Sequence, residues 1–337
     1  MTGKRSGCIG LILLGLLCLS VAANLVLMAV AAGASAKGGG LHASASSRSN
    51  FHYEEIEPAE KGSKDRIAVI RLSGIIGSEI QGESGVPMVD ELKLAMRQAL
   101  DDEHVKGVVL RVDSPGGEVT AADAIYNELA LLRDAKPVVI HMGSVAASGG
   151  YYIACAGSHL MATDTTITGS IGVIIQTLNY RELLGKVGLE SVVFKSGKFK
   201  DILSGSRPMT EEEREYIQGM VMQTYEKFVG IVAEERGLKV DDLRTGVADG
   251  RILSGTDALK AGLIDGLGYV EDAYEKAREL ARSPDAAVVE MSPRNRLGRL
   301  LRMLGESRAT PVDRALANLA PMLQTGRIYL LPGWYAP

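Results

Sequence analysis

Three glycine-bearing loops hold the residues that could do chemistry. The first, Asp113-Ser114-Pro115-Gly116-Gly117, follows a β-branched run. It has neither the GxxxxGK[ST] order of a phosphate loop nor a dinucleotide fingerprint. Adjacent glycines after a strand can turn backbone N–H groups towards a nascent oxyanion, and a tight turn explains them equally well. The second runs from Gly143 to Tyr152, GSVAASGGYY. Strand, small residues, then a helix start is a geometry that lifts a nucleophile above a sheet. Ser148 at that helix start would have a developing negative charge favoured by the dipole and free N–H groups. A plain N-cap serine would look the same. The third is Thr168-Gly169-Ser170-Ile171-Gly172, where Ser170 has the same two readings.

A serine nucleophile needs a base. His141 is near Ser148 in sequence, but it sits inside a predicted strand with no acid partner in view. His104 and His159 read as surface or strand-edge residues. A lysine would have to be partly buried, so that desolvation frees its lone pair at neutral pH. The segment Phe194-Lys195-Ser196-Gly197-Lys198-Phe199-Lys200-Asp201 offers three, and spacing does not choose among Lys195, Lys198 and Lys200.

The elements that must position these loops alternate in type. The patterns predict strands over Ile67–Leu72, Val105–Val112, Pro137–Met142, His159–Ala162, Ile171–Ile175 and Glu190–Phe194. Helices are predicted over Asp90–Leu100, from Gly117 to Leu132, from about Ser148, and over Tyr180–Val187. Such βα alternation predicts an α/β fold, a largely parallel sheet covered by helices. Thr210 followed by Glu213 forms a capping box that opens a long helix to about Arg236. Ile217, Met220, Val221, Thr224, Phe228, Ile231 and Val232 share one face at helical spacing, which predicts a core-facing stripe. A further helix is expected over Val270–Leu280 and a last strand at Ala287–Glu290.

Composition narrows the function classes. The 337-residue chain is 46% hydrophobic and 23% charged, enough for a sizeable core, with net charge −4. No basic excess is available for a phosphate backbone, so no nucleic-acid partner is expected. Cys8, Cys18 and Cys155 are too scattered for a disulfide framework or a zinc site, and five histidines argue against a metal centre. No cofactor or metal is expected.

The first 34 residues stand apart. After a short segment, residues 1–6, the run from Gly7 to Ala34 carries no charge and Asn24 is its only strongly polar side chain. It exceeds the about 20 residues a bilayer-spanning helix needs and the apolar core of a cleaved signal peptide. An uncleaved single-pass anchor in the cell membrane is therefore expected over residues 7–34, in contact with the lipid bilayer. Lys4 and Arg5 favour a cytoplasmic amino terminus, with the bulk of the chain extracytoplasmic. Residues 35–65, Gly-, Ser- and Ala-rich and then charged, read as a flexible tether. Residues 66–292 read as the folded domain, and residues 293–337 as a basic helical extension and tail.

Taken in order, DSPGG, MGSVAASGGYYIAC, TDTTITGSIGV, SGKFKD and RILSGTDALKAGLIDGLG resemble the signal peptide peptidase A family. Its members are membrane-anchored serine–lysine proteases of the ClpP/crotonase superfamily, and the resemblance covers roughly residues 65–290. It implies that Ser148 is the nucleophile, Lys200 the general base and Ser170 the residue that orients the lysine. It further implies oxyanion N–H groups from Gly116 or Gly117 and from Gly149. One copy of the domain matches the family's short form, which implies a dome-shaped homo-octamer with serine and lysine contributed by neighbouring subunits. The implied substrates are peptides, remnant signal peptides above all. Rival readings are a protease of other membrane or secreted peptides, an acyl-CoA hydratase or isomerase of the same fold, and an inactive membrane scaffold.

Overall fold

The computed structural model describes residues 51–294 and the backbone of Tyr329–Leu330. The chain divides between Arg48 and Ser49, so the span at residues 7–34 lies outside the described residues. Among the described residues no helix is long and apolar enough to cross a membrane. In chain order the elements are β1 (Phe51–Glu57), β2 (Arg66–Ser73), α1 (Met88–Asp101), β3 (Val105–Ser114), β4 (Gly117–Glu118) and α2 (Val119–Ala135). Next come β5 (Val138–Ala147), α3 (Gly149–Ala154), β6 (His159–Ala162), β7 (Ile167–Gly169), α4 (Arg181–Lys186) and α5 (Glu211–Arg236). The chain continues through α6 (Val240–Thr245), β8 (Ile252–Ser254), α7 (Gly255–Lys260), β9 (Gly266–Leu267), α8 (Val270–Leu280) and β10 (Ala287–Pro293), with β11 at Tyr329–Leu330.

The sheet runs β1-β10-β2-β3-β5-β6-β9, with β7 and β8 joined to it through β5. β10, β2, β3, β5, β6 and β9 are parallel along this path, and only β1 on β10 and β8 on β7 run antiparallel. Both faces are covered, which is why the strands read as unbroken apolar runs. Ala68, Ile70 and Leu72 enter the core shared with α1 and α2, whereas Ile67 and Val69 pack with Ala273, Tyr274 and Ala277 of α8. The mostly parallel α/β architecture agrees with the sequence reading.

Several local expectations are corrected. β1 lies inside the tract read as a tether, because Phe51–Glu57 finds the free edge of β10. Glu190–Phe194 is β-branched and apolar yet forms no strand, since no sheet edge among the described residues pairs with it; Phe194 is 95% exposed. Ile171–Ile175 is also no strand, and Ile167–Gly169 pairs with β5 instead. In α5 the capping box forms, but only Phe228 and Val232 of the predicted stripe are buried, and Met220 is exposed. Among the described residues no sheet lies beneath the amino-terminal half of α5. Of the extension at residues 293–337, most lies outside the described residues, but Tyr329–Leu330 pairs antiparallel with β4.

Candidate active site

The site is built at the carboxyl ends of β3, β5 and β7, where loops of a parallel sheet converge. β5 ends at Ala147, which registers with Gly169 of β7, and Ser148 N donates to Gly169 O at 2.8 Å. That bond turns the chain sharply. Ser148 takes φ 54° and ψ −115°, a conformation costly for a residue with a Cβ. The turn launches α3, whose Tyr152 N donates to Ser148 O at 2.8 Å. The Ser148 side chain is fully buried and its Oγ has no hydrogen-bond partner among the described residues. A capping serine would donate or accept at once; here no side-chain cap bond forms, so the N-cap role does not explain this serine.

α3 is anchored firmly. Tyr151 OH donates to Leu263 O at 2.8 Å, and Tyr152 OH donates to Asp123 Oδ1 at 2.6 Å. Burial and the Asp123 carboxylate push the Tyr152 phenol well above its ordinary pKa, so it remains a donor. Gly150 is set so close to β3 that a Cβ would meet Ser114 O at 2.8 Å. Close approach therefore requires glycine here. It brings the start of α3, with the N–H groups of its first turn lacking intrahelical acceptors, against the loop after β3.

In that loop Gly116 N donates to Ser114 Oγ at 3.1 Å. Ile76 N donates to Gly116 O and Glu118 N to Ile76 O, both at 2.8 Å, so Gly117 N–H faces away from Ile76. It faces the edge along which Tyr329–Leu330 runs, with Leu330 registered on Gly117. A Cβ on Gly117 would lie 1.9 Å from Ile76 O. Ser170, 3% exposed, follows Gly169 with φ 51° and donates its N–H to Arg251 O at 2.7 Å. Ser148, Ser170, Gly116, Gly117 and Gly149 thus gather at one end of the sheet.

Lys200 does not join them within one chain. It lies on an exposed run of turns, with Lys200 N donating to Gly197 O at 3.1 Å. Lys195 Nζ is bound to Asp201 Oδ1 at 2.7 Å, and Lys198 Nζ to Glu212. Among the described residues Lys200 is the one lysine of the three without an ion pair. His141 is buried in β5 and burial lowers its pKa, with Arg111 adding to the effect. Its Nε2 has no hydrogen-bond partner among the described residues, and no bond joins it to Ser148. His159 is half-buried at 3.9 Å from Asp265. Burial pushes the Cys155 thiol up to about 12, which makes it inert. A cleft of about 190 Å³ opens elsewhere, between β2, α1 and β10, and Ser148 does not line it.

Sequence reasoning passed over two supports. Ser114 Oγ accepts from Gly116 N and shapes the loop, and its place inside DSPGG was a usable signal. Asp201, Arg207 and Glu213 form a linked ion cluster whose six-residue spacings follow no helical period.

The model of peptidase family S49 matches residues 130–283, and the Clp protease model matches residues 75–168. A putative signal peptide peptidase SppA of Enterococcus faecium is 37% identical over 241 residues, 69% of this chain and 69% of that protein. A putative protease of Methanocaldococcus jannaschii is 43% identical over 189 residues, 56% of this chain and 60% of that protein. The chloroplastic serine protease SPPA of Arabidopsis thaliana is 35% identical over 267 residues, 77% of this chain but 39% of that longer protein. The S49 match spans the segments that carry Ser148, Ser170 and Lys200, and the chain belongs to peptidase family S49, a serine-protease family.

Proposed function

We propose that the chain is a membrane-anchored serine endopeptidase in which Ser148 is the nucleophile and Lys200 the general base. The observation that carries this reading is the Ser148 hydroxyl: buried, strained and unpartnered among the described residues, at the start of α3, whose first-turn N–H groups lack intrahelical acceptors. Neutral Lys200, oriented by Ser170, takes the proton from Ser148 Oγ as it attacks a peptide carbonyl. The oxyanion is held by the N–H groups of Gly149 and of Gly117, since Gly116 N–H is already given to Ser114. Lys200 returns the proton to the leaving amine, and water hydrolyses the acyl-enzyme.

Lys200 reaches Ser148 from a neighbouring copy in a homo-octamer of ClpP/crotonase-like subunits. Two features support this: Lys200 is exposed in its own chain, and the adjoining segment leaves Leu183, Val187, Leu189, Val192 and Phe194 in solvent. Peptides dock as a strand on the edge of β4, the edge that Tyr329–Leu330 uses. Remnant signal peptides are the substrates that suit an extracytoplasmic domain anchored by residues 7–34, and the Enterococcus faecium relative is itself a putative signal peptide peptidase.

The test is hydrolysis of an apolar signal-peptide-like substrate by the full-length assembly. Ser148→Ala and Lys200→Ala should each abolish turnover with the oligomer intact by light scattering. Co-assembling the two variants should recover about a quarter of the wild-type rate, the share of interfaces that pair two intact residues. Activity surviving Lys200→Ala would move the base to Lys198 or His141, and an inactive wild type would favour the scaffold reading.

A further inference from the structure

We propose that Arg207 is a positioning residue for Lys200, clamping the lysine-bearing segment to the amino terminus of α5. The proposal rests on Lys200 acting as the base. From Lys195 to Pro208 the chain has no strand or helix and is held by turn bonds such as Ile202 N to Phe199 O at 3.0 Å. Ties to other segments run from Tyr180 N to Gly205 O, from Thr177 Oγ1 to Leu203 O and between the exposed pair Lys198 and Glu212, and none of them fixes the backbone beside Lys200. Such a run does not by itself hold a side chain to catalytic tolerance.

Arg207 supplies the missing rigidity. Its Nε and Nη2 donate to Asp201 Oδ2 and Oδ1 at 2.8 and 2.7 Å, a two-bond fork on the residue next to Lys200. Its Nη1 donates to Glu213 Oε2 at 2.9 Å and to Pro208 O at 3.0 Å, and Nη2 also donates to Glu213. Glu213 is itself fixed, because Thr210 N donates to its carboxylate at 2.9 Å and Glu213 N to Thr210 Oγ1 at 3.2 Å. α5 then reaches the core through Phe228, Val229 and Val232. A continuous path therefore runs from the core through α5, Glu213, Arg207 and Asp201 to the backbone of Lys200.

The carboxylates of this path are well shielded, with the Asp201 side chain 11% and the Glu213 side chain 4% exposed. Lys195 Nζ adds a third bond to Asp201, so Asp201 is held from two sides while Lys200 is left free. A lysine at position 207 could not reproduce the arrangement, since an ammonium lacks the planar fork that spans two carboxylates.

The test uses the full-length assembly and an apolar signal-peptide-like substrate, with Arg207→Ala, Arg207→Lys and Lys200→Ala in parallel. Misplacing a base by about 1 Å costs about a hundredfold in rate. Both Arg207 variants should therefore lose about a hundredfold in kcat with KM nearly unchanged. Their circular dichroism and light scattering should match wild type, and added guanidinium should recover about tenfold of the loss in Arg207→Ala alone. The proposal is overturned by near-wild-type kcat in either Arg207 variant, by a loss carried in KM, by a dissociated or unfolded assembly, or by no guanidinium recovery. Full activity in Lys200→Ala would instead overturn the base assignment, and with it the reason for the clamp.

Discussion

Ser148 combines two unfavourable states, a left-handed φ of 54° and a buried hydroxyl with no partner. Structures hold such residues where surrounding bonds over-determine them, here Ser148 N to Gly169 O and the phenol anchors of α3. Replacing Ser148 with glycine relieves the backbone and removes the hydroxyl. Ser148→Gly should therefore raise stability by about 1 kcal/mol in chemical denaturation, with activity lost. Ser148→Ala keeps the Cβ in its strained place and should gain less. Equal or lower stability of Ser148→Gly would mean that this conformation carries no strain. Serine type and neighbours were legible in the sequence, whereas the positive φ depends on a bond from β7, 21 residues downstream, which no local pattern encodes.

Among the elements, β4 stands out as a two-residue strand with partners on both sides, Ile76 on one and Tyr329–Leu330 on the other. If peptides use the second edge, β11 competes with them. Proline at position 330 has no N–H to give to the ladder. Leu330→Pro should lower KM for peptides about twofold to tenfold, the worth of one net hydrogen bond, with kcat unchanged. An unchanged or higher KM would separate the peptide edge from β11. The same reasoning explains Glu190–Phe194: a strand-like sequence becomes a strand only when an edge is offered to it, and the described residues offer none. The predicted core stripe of α5 failed in its first half for a related reason, since helical spacing reports an apolar face without reporting what lies beneath it.

At the scale of the whole molecule, stability is coupled to pH through two histidines of the sheet, the buried His141 and the half-buried His159. Burial lowers the pKa of His141 below 6.5, and His159 shifts the same way for the same first cause. The unfolded chain then binds protons that the folded chain does not, so stability rises with pH in the window below 6.5 and falls as acid is added. The urea midpoint should drop as pH is lowered from about 6.5 towards 5, and His141→Phe should flatten that slope. A slope unchanged in His141→Phe would assign the pH dependence to other groups. The ion cluster of Arg207 is insensitive in this range, because Arg207 holds the Glu213 carboxyl down to about 2.

The sequence by itself determined the α/β class, the order of the main strands and helices, and the loops that carry Ser148, Ser170 and the paired glycines. These follow from residue type and short-range period, which act over a few positions. Only the tertiary structure decided what depends on distant partners. The bond to Gly169 twists Ser148, Ile76 turns the N–H of Gly117 to the edge along which β11 runs, and Arg207 ties Lys200's neighbour Asp201 to α5. Carboxylates engage Lys195 and Lys198 but leave Lys200 unpaired among the described residues, a distinction that spacing could not draw. None of these contacts follows a helical or strand period, some spanning six residues and others more than twenty, so they are set by packing in three dimensions rather than by local pattern.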